Sequence, residues 1–176
     1  MKILLGVSGS IAAYKAVELL RLLQKSDHQV RVIMTRSATK FVGELTFRTL
    51  ARHPVYIEMF PENAEWRPEH VELGEWADVF VIAPCTANLI AKIAHGIADD
   101  LMSSTALALD AQMVLAPAMN DRMWHAAATR DNLAVLKKRG VTIVDVGSGE
   151  LACGYSSEGR LADITEIAAV VESSVK

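Results

Sequence analysis

Two cysteines in 176 residues are too few for a disulfide framework. Cys85 and Cys153 therefore point to a reducing compartment. Charge of one sign is also missing. Lys plus Arg number 18 and Asp plus Glu 21, for a formal net charge of −3. A chain so near neutrality offers no general field for a phosphate backbone, so nucleic acid is not an expected partner. No apolar run is long enough to span a membrane, and none is expected to be bound. The start, Lys2-Ile3-Leu4-Leu5 with small residues to Ala13, looks like a weak signal peptide. Charge returns, however, at Lys15, Glu18 and Arg21 on an amphipathic stretch, and the cytoplasm is the expected setting. No His or Cys spacing suits a metal. Repeats, linkers and low-complexity segments are absent.

What is present is apolar and alternates in type. Hydrophobic residues make up 51% of the chain, too many for disorder, and the length suits one domain, residues 1–176. Lys2 to Val7 reads as a strand, Ser10 to Lys25 as a helix and Gln29 to Thr35 as a second strand. Ser37 to Phe41 and Glu44 to Ala51 look helical, Pro54 to Glu58 is a short strand, and Pro61 to Pro68 a loop. Val79 to Ala83 is apolar throughout, as a strand buried on both faces should be. Ala87 to His95 and Asp99 to Leu109 read as helices, Gln112 to Ala116 as a strand, Met123 to Arg139 as mostly helical and Val141 to Val146 as the last strand. Gly147 to Arg160 holds four glycines and reads as a mobile loop, followed by a helix from Asp163. Strands alternating with helices imply a parallel sheet covered on both sides.

Three turns follow strands at the edge where open α/β sheets bind ligands. Gly6-Val7-Ser8-Gly9-Ser10 lets a backbone approach closely, and helix N-terminal amides there favour a phosphate; Ser8 and Ser10 can add donors, or Ser10 can simply cap the helix. The pattern is not GxGxxG. The second strand ends Thr35-Arg36-Ser37 without the acid that takes a ribose hydroxyl, which argues against NAD and allows a mononucleotide. In Ala83-Pro84-Cys85-Thr86-Ala87-Asn88, Thr86 and Asn88 can bond a ligand ring or chain, or Thr86 can cap a helix while Cys85 packs as a small apolar residue. In Ala116-Pro117-Ala118-Met119-Asn120, the Asn120 amide can donate to a carboxylate or cap the next helix. His70 precedes an amphipathic piece with Leu73 and Trp76 and can be a general base or a packing residue. Cys153, in the Gly-rich segment, fits a thiol that closes over a substrate, or one tucked beneath it.

Together these segments resemble one family. The order Gly6-x-x-Gly9-Ser10-Ile11-Ala12-Ala13-Tyr14-Lys15, Met34-Thr35-Arg36, His70 with Trp76-Ala77-Asp78, Ala83-Pro84-x-Thr86-Ala87-Asn88, Gly96-x-x-Asp99-Asp100-Leu101, Pro117-Ala118-Met119-Asn120-x-x-Met123-Trp124 and Ala152-Cys153-Gly154 with Gly159-Arg160 is similar to the homo-oligomeric flavin-containing cysteine decarboxylases. The branch serving coenzyme A biosynthesis is the nearest. Related flavin prenyltransferases carry a Pro-Cys-Ser segment at Cys85 but lack the Pro-Ala-Met-Asn and loop-cysteine signatures. Lantibiotic peptidyl-cysteine decarboxylases share the histidine and asparagine but lack the loop cysteine. A non-catalytic flavin-binding regulator or electron carrier is the other class, and it would not need His70, Asn120 and Cys153 together.

The resemblance implies a single-domain three-layer αβα fold, Rossmann-like or flavodoxin-like. It implies FMN-dependent loss of carbon dioxide from 4′-phosphopantothenoylcysteine, giving 4′-phosphopantetheine through transient oxidation at the carbon bearing sulfur. By the same resemblance His70 is the base for oxidation, Asn120 holds the substrate carboxylate, and Cys153 donates the final proton. Gly9, Ser10, Thr35, Ser37, Phe41, Pro84, Cys85, Thr86, Ala87 and Ala118 would contact FMN; Met119 and Arg160 would join Asn120 on the substrate. Trimers or multiples of trimers are implied, with the site between subunits. In many bacteria the domain is fused to a phosphopantothenate–cysteine ligase, so a ligase is expected on a separate chain or on a longer version of this one.

Overall fold

The computed structural model describes residues 1–60, 67–150, 154 and 156–175. Cys153 and most of the segment 61–68 read as a loop lie outside the described residues. Strands β1 (Lys2–Val7), β2 (Gln29–Met34), β3 (Val55–Tyr56), β4 (Val79–Cys85), β5 (Gln112–Pro117) and β6 (Thr142–Ile143) form one six-stranded sheet in the order β3-β2-β1-β4-β5-β6. Every pairing in it is parallel. Helices α1 (Ala13–Lys25), α2 (Glu44–Ala51), α3 (Glu69–Trp76), α4 (Ala87–His95), α5 (Leu101–Leu107), α6 (Asp121–His125), α7 (Ala127–Lys138) and α8 (Ile164–Ser173) cover its two faces. This is the expected αβα arrangement, with the strand order of a doubly wound Rossmann-like sheet.

Side-chain alternation explains the layers. Ile3, Leu5 and Val7 of β1 pack with Leu19, Leu20 and Leu23 of α1 and with Ile167 and Val171 of α8. Leu4 faces the other way, against the layer holding Leu73 of α3, Ile90 of α4, Leu101 of α5 and Leu136 of α7. The central strands are buried on both sides, which is why they read as continuous apolar runs. The edge strands β3 and β6 have two residues each, shorter than expected. Among the described residues, no helix is long and apolar enough to cross a membrane.

Three local expectations are corrected. The first helix starts at Ala13, and its N-cap, Ala12, makes no side-chain cap bond; Ser10 is not the cap. The stretch from Met123 to Arg139, read as mostly helical, falls in two helices, because Ala126 adopts extended backbone at φ −59°, ψ 135° between α6 and α7. The segment 147–160, read as a loop, carries strands β7 (Gly147–Glu150) and β8 (Ser156–Arg160), paired antiparallel. Glycine is depleted in strands, so its density suggested a loop. Gly159 serves close approach instead: it has φ +119°, and a Cβ there would lie 2.3 Å from the Met119 carbonyl oxygen. The Met119 N–H donates to the Gly159 carbonyl at 3.0 Å, so β8 docks directly on the turn after β5.

Candidate functional site

The strand order reverses between β1 and β4, and a cavity of about 860 Å³ opens at the C-terminal edge of the sheet beside that reversal. Such a volume suits a mononucleotide-sized ligand. The turn after β1 forms its floor. The Ser8 hydroxyl donates to the Pro84 carbonyl at 2.7 Å and accepts the Thr86 N–H at 3.0 Å. Ser8 is buried and its hydroxyl is committed to joining the β1 and β4 turns, so it is a fastener rather than the ligand donor expected.

Gly9 and Ser10 line the cavity together with Thr35 and Ser37 from the end of β2. A Cβ at Gly9 would lie 2.4 Å from Ser37 Cβ, so only glycine lets these two turns approach so closely. Ser10 Oγ accepts the Ala12 N–H at 3.3 Å, which leaves its proton for a ligand. Thr86, Ala87, Asn88, Ala118 and Met119 are further expected residues that line this cavity. Thr86 also caps α4 by accepting the Leu89 N–H at 3.4 Å.

Phe41, Pro84 and Cys85 are not among the described residues that line it, contrary to expectation. Phe41 is half-exposed elsewhere. Pro84 spends its carbonyl on Ser8. Alternation along β4 would put Cys85 with Val81 and Ala83, but the register shifts between Ile82 and Cys85 and turns its side chain into the opposite layer. Burial pushes the Cys85 thiol far up from its ordinary value, which makes it a packing group.

Of the three expected catalytic residues, Asn120 and His70 are not among the described residues that line this wall, and Cys153 lies outside the described residues. Asn120 directly follows Met119, and its side-chain oxygen accepts the Arg122 N–H at 3.0 Å as the N-cap of α6. His70 is half-buried on α3 and does not line the cavity. Its helix is held by Arg31, whose Nη1 donates to Glu72 at 2.9 Å and whose Cζ lies 4.4 Å from the Trp76 ring centroid. Arg160 is exposed on β8, also off the cavity. Ser157 Oγ donates to Asp121 at 3.2 Å and His125 approaches Glu158 at 3.3 Å, so β8 is tied to α6 as well as to Met119.

Two ion-paired sets on the cavity wall were given no role in the sequence reading, although Arg36, Asp99 and Asp100 stand in its motifs. Arg36 pairs with Glu58: its Nε donates at 2.9 and 3.0 Å, and its Nη2 makes a closer contact. The guanidinium holds the Glu58 carboxyl below its usual value. Lys92 lies between Asp99 at 2.6 Å and Asp100 at 2.7 Å, across the turn from α4 to α5. Both are pairings between different elements and leave no periodic mark.

Asp100 also caps α5, accepting the Ser103 N–H at 2.8 Å while Ser103 Oγ accepts the Asp100 N–H. Burial alone would raise its carboxyl, but Lys92 and the Ser103 donors outweigh that and hold it below the ordinary 3.8. Its stabilising contribution is therefore complete above the unfolded value and is lost as pH falls through the lower folded value. Asp100→Asn keeps the cap but removes the charge. It is expected to cost about 0.5–1 kcal/mol near neutrality, after allowance for solvent screening, and progressively less below about pH 4. Urea midpoints of both proteins near neutrality and near pH ~3 check this; a gap that persists at the acid end would assign the effect to lost packing.

Comparison with known proteins places this geometry. The family described as Flavoprotein matches residues 1–176. The chain is 44% identical over 170 residues to the coenzyme A biosynthesis bifunctional protein CoaBC of Bacillus subtilis, covering 97% of this chain and 42% of that protein. It is 46% identical over 162 residues to the CoaBC protein of Escherichia coli, covering 92% and 40%. The chain thus spans about two fifths of the length of these relatives. A solved PPC decarboxylase variant complexed with pantothenoylaminoethenethiol superposes with a TM-score of 0.86 at 31% identity, covering 98% of this chain and 96% of that one. The FMN binding protein AtHal3 superposes at 0.83, also 31% identical, covering 98% and 95%.

Proposed function

The chain belongs to the Flavoprotein family, and on that premise we propose that it binds FMN in the cavity at the sheet edge and decarboxylates 4′-phosphopantothenoylcysteine to 4′-phosphopantetheine in coenzyme A biosynthesis. The observation that carries this reading is one continuous wall. It runs from the close-packed Gly9 and Ser37 turns to Ala118 and Met119, with Asn120 as the next residue. The likeness to a PPC decarboxylase and to an FMN binding protein supports it.

The residues present fit the cofactor. The narrow approach at Gly9, the Ser10 hydroxyl and the side-chain-uncapped start of α1 suit a terminal phosphate. Thr86 and Ala87 suit the ring or its chain. When bound, FMN supplies a two-electron centre that accepts a hydride and returns it. The protein's part is to orient, exclude water and move protons. The Asn120 amide donates to the substrate carboxylate without adding charge. His70 takes the thiol proton as the carbon bearing sulfur is oxidised, and Cys153 returns a proton after carbon dioxide has left.

His70 lies off the cavity of its own chain, which fits assembly into trimers or multiples of trimers in which the base of one copy serves the cavity of another. The ligase that makes the substrate is expected on a separate chain or in the remainder of a longer one.

The test is purification of the chain with its flavin, release and identification of that flavin, and addition of 4′-phosphopantothenoylcysteine with mass analysis. FMN and a product lighter by carbon dioxide are expected, with no external reductant. A nicotinamide dinucleotide, or no flavin after reconstitution, would overturn the reading.

A further inference from the structure

Among the described residues, the cavity wall carries two cations, Arg36 and Lys92, against three carboxylates, Glu58, Asp99 and Asp100. A phosphate monoester entering it meets no net positive charge unless one cation changes partner. Lys92 is poorly placed to do so: its side chain is only 17% exposed, and its departure would strand two carboxylates. Arg36 is the opposite case, its side chain 81% exposed with one carboxylate partner among the described residues, Glu58, itself 44% exposed. An exposed pair of this kind is worth about 0–1 kcal/mol, so it separates readily. Glu58, once released, turns into water.

Location adds to the argument. Arg36 is flanked by Thr35 and Ser37, and Ser37 is the residue that closes on Gly9. The guanidinium fork bonds a phosphate dianion through two parallel N–H groups and does so more strongly than a monoanionic carboxylate.

We infer that Arg36 is an exchangeable anchor for a phosphate monoester, held by Glu58 until the ligand arrives, so that Glu58 competes with the ligand. The inference rests on the function proposed above, whose cofactor and substrate both carry this group. FMN and 4′-phosphopantothenoylcysteine are therefore the two sources to distinguish.

Arg36→Gln and Glu58→Gln are measured in the full chain, for FMN against riboflavin by flavin fluorescence and for the substrate against its dephosphorylated form by KM. Arg36→Gln is expected to weaken the phosphorylated member of one pair by about tenfold or more and its partner by less than about twofold. Glu58→Gln is expected to tighten the same phosphorylated ligand by several-fold, because the competitor is gone. A phosphate-dependent effect in the flavin pair alone assigns the anchor to FMN, and one in the substrate pair alone assigns it to the substrate; both outcomes support the inference. Equal loss in both members of each pair, no loss in any, or a Glu58→Gln variant that binds less tightly would overturn it, since a merely structural pair behaves so. A wild-type chain that takes up neither flavin nor substrate would overturn the function reading and this inference with it.

Discussion

Asn120→Asp is expected to fold, take up FMN normally and lose turnover by roughly 10²–10³-fold. Retention of the fold follows from the cap. Asn120 accepts the Arg122 N–H through its side-chain oxygen, and aspartate caps a helix as well as asparagine does. On the proposed role of Asn120, the chemistry is not expected to survive the exchange. The amide donor would become a carboxylate facing the substrate's own carboxylate, replacing a charge-assisted hydrogen bond of about 1.5–3 kcal/mol with like-charge repulsion. Thermal denaturation, flavin content and steady-state rates separate the two roles. Normal turnover in this variant would reduce Asn120 to a helix cap, whereas loss of folding together with activity would show that the cap tolerates no charge.

Cys153→Ser is expected to stop the cycle at its last proton transfer. Serine matches cysteine in size but is a far weaker acid, so donation should fail while the earlier steps run once per site. Substrate addition should then release carbon dioxide, leave the flavin lastingly bleached, and give a product lighter than 4′-phosphopantetheine by about two hydrogens. Wild-type protein should show no lasting bleaching. A variant that makes the fully reduced product at the normal rate would clear Cys153 of the role. One that never releases carbon dioxide would place the thiol earlier in the sequence of steps.

The sheet was legible because burial on both faces leaves an unmistakable mark. Val79-Phe80-Val81-Ile82-Ala83 has no polar residue to misread, and β4 runs two residues further. The edges were less legible, since β3 and β6 pair through two residues each and Pro54 to Glu58 or Val141 to Val146 contain nothing that fixes the count. The β7–β8 hairpin was hidden by its composition: Gly-Ser-Gly-Glu and Ser-Ser-Glu-Gly-Arg become strands through pairing and through the docking of Gly159 on Met119, neither of which is local.

The site shows the same division. Gly9, Ser10, Thr86 and Ala118 could be placed beside the cavity because each follows a strand, where topology puts ligands. The layer that takes Cys85 is decided by a register shift that no pattern announces. Arg36 with Glu58 and Lys92 with Asp99 and Asp100 were missed because an ion pair between elements depends on where the elements end.

The Ser8 fastener ties ligand uptake to the completion of the chain's fold. Its hydroxyl joins residues 76 and 78 positions apart in sequence. The cavity floor therefore exists only after β1 and β4, with two strands and three helices between them in the chain, have found each other. Contacts of such long range are the slow ones to form, and no stretch that stops short of Thr86 contains both halves of the floor. A ligand that recognises this floor has affinity for the native state and none for partly assembled ones. It acts as a reporter of global folding, and its concentration raises the unfolding midpoint by mass action.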